Sequence, residues 1–307
     1  MGVTLSKLKR AAVDGDYRRI VLAELGFYDR MPDEKYLKMM FRCCHGTELD
    51  LEDPVTFSEK LQWLKLHDRD PRYPGMVDKV SAKGFAAGVI GGAHVIPTIG
   101  VYDSFDEIDP DALPASFVLK CTHDSGGIVI VPDKTRFDAA AARKKLNKYL
   151  RRKFFYHGRE WPYKSVAPRI IAEEYVEAGG DLPDYKIHCF NGEPKIVLVC
   201  RGRNSKDGMT EDFYDTEWNR LPVKRPDIPN SVRPDPPPER LKEMLDIAAR
   251  LSEGISFVRV DLYEAGDRVL FGEMTLYPAS GFKPFEPVSF DRELGDMLKL
   301  PIDPGRA

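Results

Sequence analysis

The chain has 307 residues, of which 42% are hydrophobic and 31% are charged. This is the composition of an ordinary globular protein and excludes a disordered or collagen-like chain. The 46 Lys and Arg residues nearly balance the 49 Asp and Glu residues, giving a net charge of −3. A nearly neutral chain lacks the overall positive field of proteins that bind nucleic acid regardless of sequence, so nucleic acid is not expected as a partner.

Three features of the sequence indicate the compartment. Residues 1–10 carry charges where a secretory signal needs an uninterrupted apolar stretch. The longest aliphatic runs, at 128–131 and 196–199, have the length of strands and are too short to cross a membrane. The five cysteines include no CxxC pair. We therefore expect a cytoplasmic protein with no transmembrane segment, no disulfide framework and no zinc knuckle.

Residues 1–75 have a helical pattern interrupted by prolines. The clearest helix begins at Thr56, which forms a capping box with Glu59, and Phe57, Leu61 and Leu64 then recur on one face. A second helix is predicted over 77–89. No strand-helix-strand unit precedes residue 90, so the fold is not a parallel α/β domain at its start.

The middle of the chain is predicted to be antiparallel. Residues 117–121 and 128–131 form a hairpin around a glycine-bearing loop, and a basic helix follows at 138–154. Residues 169–176 form a buried strand that ends in two carboxylates. Strands at 185–190 and 194–199 flank Asn191-Gly192, which is the strongest short hairpin signal.

The last third is separated from these hairpins by residues 221–238, whose seven prolines predict an irregular crossing. A helix is predicted at 239–251, followed by strands at 257–263 and 268–275. The helix should bury one face, formed by Leu241, Leu245, Ala248 and Leu251.

Alternation in the strand at 257–263 puts Arg259 and Asp261 on the face opposite three apolar residues. Glu273, on the next strand, shares the face of Asp261 only if the turn near 265–267 has an odd number of residues. Two carboxylates on one wall suit Mg²⁺ that bridges nucleotide phosphates, and surface acids are the equally weighted alternative. If the two acids repel each other, we expect Asp261→Ala to leave the fold intact.

Lys120 ends a strand immediately before a loop of small residues, and such a loop lets backbone N–H groups approach phosphate oxygens. A plain hairpin turn is the more common reading of the same pattern. Neither GxxxxGK[ST] nor GxGxxG occurs, which disfavours P-loop and Rossmann proteins. A carboxylate of Glu173 or Glu174 could accept from an adenine amino group, although a solvated strand end is the more common case.

The basic helix at 138–154 carries seven Lys and Arg residues between 143 and 153. It could dock an anionic substrate or an anionic membrane surface, although a solvated face is the more common role.

Five phrases of the sequence are distinctive when taken together: 56–66 (TFSEKLQWLKL), 101–108 (VYDSFDEI), 120–127 (KCTHDSGG), 159–163 (REWPY) and 277–282 (YPASGF). They resemble the TupA-like ATP-grasp family, which is associated with teichuronopeptide and other surface polysaccharides. The resemblance covers roughly residues 50 to 300. It implies an α+β ATP-grasp fold, in which two lobes with mainly antiparallel sheets clasp ATP. The expected divisions are a helical N-terminal region at 1–75, a first lobe at 76–176 and a second lobe at 177–307.

The resemblance also implies roles for individual residues. The nucleotide phosphates would be bound by two lysines, Lys79 and Lys120, and by the glycine loop formed by Ser125, Gly126 and Gly127. Adenine would be bound by the linker residues Glu173, Glu174 and Val176, and the ribose by Asp184. Magnesium would be held by Asp261, Glu273 and Thr275, the last of which stands where many ATP-grasp enzymes have Asn. The catalytic residues would be Arg259, Arg201 and Lys120.

The implied activity is that of an ATP- and Mg²⁺-dependent carboxylate-amine ligase acting through an acyl phosphate. Its substrates would be an amino acid or amine and a carboxylated small molecule, sugar or glycan. Three alternatives remain open: a kinase that phosphorylates a hydroxyl, an ATP-binding accessory subunit of a polysaccharide complex, and a glycosyltransferase. The basic helix at 138–154 could then contact a membrane or the polysaccharide-synthesis machinery peripherally.

Overall fold

The computed structural model describes residues 10–176, 182–202 and 208–301. Its N-terminal part is helical, as expected, and ends with a long helix that leads into the first sheet. The helices are α1 (Gly15–Glu24), α2 (Asp33–His45), α3 (Phe57–His67), α4 (Tyr73–Val77) and α5 (Lys79–Ile90).

Local chemistry fixes where these helices begin and end. Asp14 accepts from the first backbone N–H groups of α1, and Gly46 ends α2 in the left-handed region at φ 74°. The predicted capping box of Thr56 and Glu59 is present at the start of α3, and Asp78 caps α5.

The first sheet has four antiparallel strands in the order β1-β4-β2-β3. Helix α6 packs on it through Ala142 and Leu146 and is followed by a short helix, α7. The predicted hairpin around the glycine loop is formed by β2 and β3. The elements are β1 (Thr98–Tyr102), β2 (Phe117–Cys121), β3 (Ile128–Val131), α6 (Ala139–Leu150), α7 (Phe155–Gly158) and β4 (Ile170–Glu174).

The second sheet has five antiparallel strands in the order β7-β6-β5-β8-β9. The predicted Asn191-Gly192 turn joins β5 to β6, and both residues have positive φ, as a tight hairpin requires. The elements are β5 (Asp184–Phe190), β6 (Glu193–Arg201), β7 (Thr210–Asp215), α8 (Leu241–Leu251), β8 (Phe257–Ala265), β9 (Arg268–Thr275) and α9 (Ser289–Met297).

Helix α8 covers one face of the second sheet, but its buried face differs from the predicted one. Met244, Ile247, Ala248 and Leu251 are buried, whereas Leu241 and Leu245 are only half-buried. On the sheet, Val258, Val260 and Leu262 are fully buried, so the predicted alternation of β8 is confirmed.

The turn between β8 and β9 does not meet the condition set by the sequence. Ala265 pairs with Arg268, so the turn has two residues, an even number. The strand register then shifts by one residue: Leu262 pairs with Phe271, but the preceding residue, Asp261, pairs with Glu273 and not with Gly272. The extra residue is Gly272, and this bulge brings Glu273 to the face of Asp261. A Cβ at Gly272 would lie 2.9 Å from the Tyr263 ring and 3.0 Å from the Asp261 carbonyl oxygen, so the bulge needs glycine.

The proline-rich residues 221–238 are irregular, as predicted, and are tied to β7, a strand that the sequence did not predict. Asn230 donates to the carbonyl oxygens of Glu211 and Val223. Across residues 10–176, 182–202 and 208–301, no helix is both long enough and apolar enough to span a bilayer.

Candidate active site

Asp261 is the centre of a buried charged cluster on the second sheet. Its carboxylate accepts from Arg259 Nε at 2.6 Å and from Arg259 Nη2 at 2.7 Å, and it also contacts Lys186. Strand register explains this contact, since Lys186 on β5 lies directly opposite Asp261 on β8. Asp261 is 1% exposed and acts as a counter-ion to buried Lys186 and to Arg259, whose side chain is 13% exposed. The expectation of simple repulsion between acids on this wall is wrong.

The charges in this cluster stabilise one another. Burial alone would lower the pKa of Lys186, but the carboxylates of Asp261 and Asp184 outweigh that effect and hold it above its usual value. Burial likewise opposes the charge of Arg259, but the same Asp261 carboxylate raises its pKa. Asp184, the expected ribose contact, is buried and lies 2.7 Å from Lys186 Nζ.

Glu273 completes the wall next to Asp261. Its carboxylate lies 3.5 Å from Arg259 Nη2 and 3.7 Å from Lys79 Nζ, and its side chain is 39% exposed. Thr275 pairs with Arg259 in the strand register and accepts from Arg259 Nη2 at 3.0 Å. The three expected metal ligands therefore line one wall with Arg259 among them.

A second cluster lies on the first sheet and α5. Glu173 on β4 receives Lys120 Nζ from β2 at 2.6 Å and Lys83 Nζ from α5 at 2.6 Å. Burial alone would raise the pKa of Glu173, but Lys120 and Lys83 outweigh burial and hold it below its usual value. Glu173 thus positions Lys120, and its carboxylate is not free to bind an adenine amino group as expected.

The linker residues after Glu173 are more open. Glu174 is exposed, and Val176 is half-buried immediately before the undescribed residues 177–181.

Lys79 connects the Asp261 cluster with the glycine loop. Besides its contact with Glu273, its Nζ donates to the Asp124 carbonyl oxygen at 2.9 Å, and its backbone N–H donates to Thr122. The Asp124 side chain accepts from the N–H of Gly126 at 2.9 Å and lies 3.3 Å from Arg152. These contacts fix the start of the loop beside Lys79.

The glycine loop packs closely against helix α6. A Cβ at Gly126 would lie 2.6 Å from the Tyr149 ring, and one at Gly127 would lie 2.6 Å from Cys121 Sγ. Ser125 is exposed at the tip. The two glycines are therefore required by close packing of the loop in this conformation.

Arg201 is the expected catalytic residue that does not join the site. Cys200 pairs with Asp184, so alternation turns the following residue, Arg201, to the opposite face of the sheet. There Arg201 Nε forms an ion pair with Asp235 of the proline-rich segment.

Two site lysines were missed by the sequence reasoning. Lys186 alternates with apolar residues on β5, and a charged residue at such a position was the available signal. Lys83 lies four residues after Lys79, which puts both on one face of α5. Both are buried and ion-paired.

Comparison with known proteins bears on this arrangement. The TupA-like ATPgrasp family matches residues 59–299. No curated protein matches the chain.

Solved structures give more distant likenesses. The D-alanine–D-alanine ligase of Bacillus anthracis, solved with ATP, is 17% identical, with a TM-score of 0.42 over 73% of this chain and 64% of that chain. The D-alanine–D-alanine ligase of Helicobacter pylori is 12% identical, with a TM-score of 0.42 over 79% of this chain and 69% of that chain. A RimK domain ATP-grasp protein of Sphaerobacter thermophilus is 13% identical, with a TM-score of 0.40 over 80% and 72%. The chain thus spans less than two thirds of the length of the Bacillus anthracis ligase.

Proposed function

The chain belongs to the TupA-like ATP-grasp family, and on that premise we propose that it is an ATP- and Mg²⁺-dependent carboxylate-amine ligase. It would join an amino acid or another amine to a carboxylated small molecule, sugar or glycan in surface-polysaccharide synthesis. Residues 76–176 and 177–307 would be the two lobes that enclose ATP. The reaction would take place in the cytoplasm, where ATP is supplied.

The observation that carries this proposal is the wall formed by Asp261 and Glu273. The two carboxylates are directly opposed across β8 and β9, and three cations surround them, which are Arg259, Lys186 and Lys79. Transfer of a phosphoryl group needs charge neutralisation and positioning more than covalent help. A wall that holds two carboxylates and fixed cations can supply charge neutralisation and positioning.

The residues fit a magnesium site completed by nucleotide phosphates. Mg²⁺ is commonly bound by one or two carboxylates together with phosphate oxygens and water, and Asp261 and Glu273 provide two. Among the described residues no group of three or more His, Cys, Asp or Glu side chains forms a metal site. When bound, Mg²⁺ would neutralise charge on the phosphates; Thr275 would act through its hydrogen bond to Arg259.

The cations would bind different parts of the triphosphate. Lys120, positioned by Glu173, and Lys79, positioned beside the glycine loop, would bind phosphate oxygens. Arg259 would stabilise charge on the transferring group because its guanidinium already faces both acids. Glu174 and Val176 would contact adenine at the linker, and Asp184 would contact the ribose only if it moved away from Lys186.

The proposed chemistry has two balanced steps. A carboxylate oxygen of the acceptor attacks the γ-phosphorus of ATP, the bond to the β,γ-bridging oxygen breaks, and ADP leaves. The amine nitrogen then attacks the acyl carbon, phosphate leaves with the former carboxylate oxygen, and the nitrogen loses a proton. Because water would destroy the acyl phosphate, the loop at Ser125, Gly126 and Gly127 would also exclude water.

A hydroxylamine assay tests the proposal against the kinase alternative. ADP and hydroxamate are followed together with Mg²⁺ and a panel of uronic acids, amino acids and carboxylated glycans. Hydroxamate that forms with ADP in the wild type and is lost in Glu273→Gln supports the ligase. ADP with a stable phosphoester and no hydroxamate would support the kinase, and ATP binding without turnover would support an accessory subunit.

A further inference from the structure

A group of polar and aromatic side chains lies beside the catalytic wall, where the helical N-terminal region meets the end of β9. We name it the junction patch; it consists of Asp68, Arg69, Tyr73, Trp161 and Tyr277, the last of which interacts electrostatically with Asp68, Tyr73 and Arg69. Tyr73 Oη donates to Asp68 Oδ2 at 2.7 Å, and the Tyr73 and Trp161 rings are 6.1 Å apart. The Arg69 guanidinium lies 5.1 Å from the centre of the Trp161 ring.

Two buried donors of the junction patch have no partner within the described part of the chain. They are Tyr277 Oη and Trp161 Nε1, and Tyr277 is only 3% exposed. A buried donor without an acceptor costs about 1–3 kcal/mol, and folded proteins contain few of them. Two such donors within one small patch indicate that a ligand supplies the acceptors.

The other members of the junction patch define the chemistry of that ligand. Asp68 is half-buried and can accept from hydroxyl groups. Arg69 is exposed, and its hydrogen bond from Nη1 to the Lys65 carbonyl oxygen leaves further N–H donors on the guanidinium. Trp161 is half-buried and adds aromatic surface, with buried Tyr73 beside it. A set of donors, one carboxylate and aromatic rings fits a ring that carries several hydroxyl groups, which is a sugar.

The junction patch is close to the reacting groups. Tyr277 is two residues beyond Thr275, so their Cα atoms lie at most about 7 Å apart. Thr275 in turn contacts Arg259.

The chain between the patch and Phe282 is firmly held. Ala279, Ser280 and Gly281 all have positive φ, from 49° to 63°. Lys65 and Gln62 donate to the carbonyl oxygen of Ser280, whose hydroxyl contacts Glu160. This bracing fixes the position of Tyr277 relative to β9.

We propose that the junction patch binds the hydroxyl groups of a sugar acceptor and directs the carboxylate of that sugar toward Arg259. Tyr277 Oη and Trp161 Nε1 donate to sugar oxygens, and Asp68 accepts from sugar hydroxyls. The inference rests on the proposed function, because it assigns a binding site to the acceptor of that reaction.

Binding is tested without turnover, by ligand-detected NMR titration of the full chain. The probes are D-glucuronate, D-galacturonate and D-mannuronate, with cyclohexanecarboxylate as a carboxylate on a six-membered ring without hydroxyls. The wild type should bind at least one uronate at least tenfold more tightly than cyclohexanecarboxylate. Tyr277→Phe and Trp161→Phe should each bind that uronate about tenfold more weakly, because each variant lacks one hydrogen bond to the sugar. Neither substitution should change the affinity for cyclohexanecarboxylate. Trp218→Phe, at the far end of the second sheet, is the matched control.

The outcomes separate the two proposals. Uronate binding that is unchanged in Tyr277→Phe and Trp161→Phe would show that the donors are merely buried and would overturn the junction patch. The absence of any uronate binding to the wild type would do the same. Loss of binding in both variants, combined with no hydroxamate from any uronate, would retain the patch and reject the ligase.

Discussion

Asp261 and Glu273 face each other directly because Gly272 adds one residue to β9 between them and the two-residue turn. Without this bulge, Asp261 would pair with Gly272, and Glu273 would lie on the opposite face of the sheet. The wall of carboxylates therefore depends on a glycine that has no side chain to contribute to it.

Replacing that glycine should abolish Mg²⁺-dependent ATP turnover. In Gly272→Ala the new methyl group would overlap the Tyr263 ring and the Asp261 carbonyl, so the register must shift. We expect a loss of about 1–3 kcal/mol in the free energy of unfolding. Turnover and thermal unfolding are measured together. The control is Gly88→Ala on α5, where a Cβ meets nothing within 4 Å and should stabilise the helix by about 0.5–1 kcal/mol. Normal turnover in Gly272→Ala would contradict the role of the bulge.

Removing either acid of the wall should stop turnover, but the two should differ in stability. Asp261→Asn removes the shortest ion pairs of Arg259 and of buried Lys186, leaving them only the Glu273 and Asp184 carboxylates, and breaking such a buried pair costs about 3–5 kcal/mol. The Glu273 side chain is 39% exposed, so Glu273→Gln should lower the free energy of unfolding by no more than about 1 kcal/mol. Urea unfolding of both variants checks the difference. Equal stability of the two would show that Asp261 is not the counter-ion.

The contribution of Glu173 to the free energy of unfolding should depend on pH. Its pKa lies below the ordinary value of 4.5 in the folded protein, so its contribution is complete above about pH 4.5 and is lost as the pH falls through the folded pKa. Glu173→Gln should be less stable than the wild type by about 3–5 kcal/mol at pH 7, because Lys83 and Lys120 lose their counter-ion. Unfolding measured from pH 7 to pH 3 should show this difference shrink. A constant difference would rule out the proposed coupling.

Lys120→Ala should weaken ATP binding more than His123→Ala. Lys120 lies in β2 just before the glycine loop, and its ammonium is held by Glu173. His123 is buried, and its Nε2 contacts the Arg152 carbonyl oxygen, so its role is to hold the loop. We expect at least a tenfold loss for Lys120→Ala in an equilibrium titration with ATP, since charged hydrogen bonds contribute about 1.5–3 kcal/mol. The reverse order would place the phosphates elsewhere.

Arg159→Lys should loosen the helical N-terminal region. Arg159 is 2% exposed, donates to the carbonyl oxygens of Tyr28, Asp29 and Met31, and lies 4.4 Å from the centre of the Tyr36 ring. Lysine cannot reproduce this planar set of donors. We expect faster proteolysis near residue 30 and a loss of about 2–4 kcal/mol, with exposed Arg151→Lys as control. Unchanged proteolysis would show that other contacts hold this region.

The hairpins were predictable because short-range signals determine them. Asn191-Gly192 supports positive φ at two successive residues, and the alternation of β8 is visible in its apolar residues. The strand β7 was not predictable, since Thr210–Asp215 contains three acidic residues and lacks the alternation of apolar and polar residues that is typical of a half-buried strand.

The site was predictable in its residue types and less so in its pairings. Arg259, Asp261 and Glu273 were found as one wall, but the Gly272 bulge that aligns them has no local signal. Which cation meets which acid depends on strand order, so Lys186 opposite Asp261 could not be read from the sequence. For the same reason Arg201, which ends an adjacent strand, was assigned to the site although alternation turns it away.

The most direct test of the central claim follows a single oxygen atom. A carboxylate acceptor identified by the hydroxamate assay is labelled with ¹⁸O in its carboxylate and incubated with ATP, Mg²⁺ and an amine. Acyl-phosphate chemistry predicts that each released phosphate carries one oxygen from the carboxylate, and that Glu273→Gln releases none. Phosphate without label, formed at the same rate as the amide, would contradict the account.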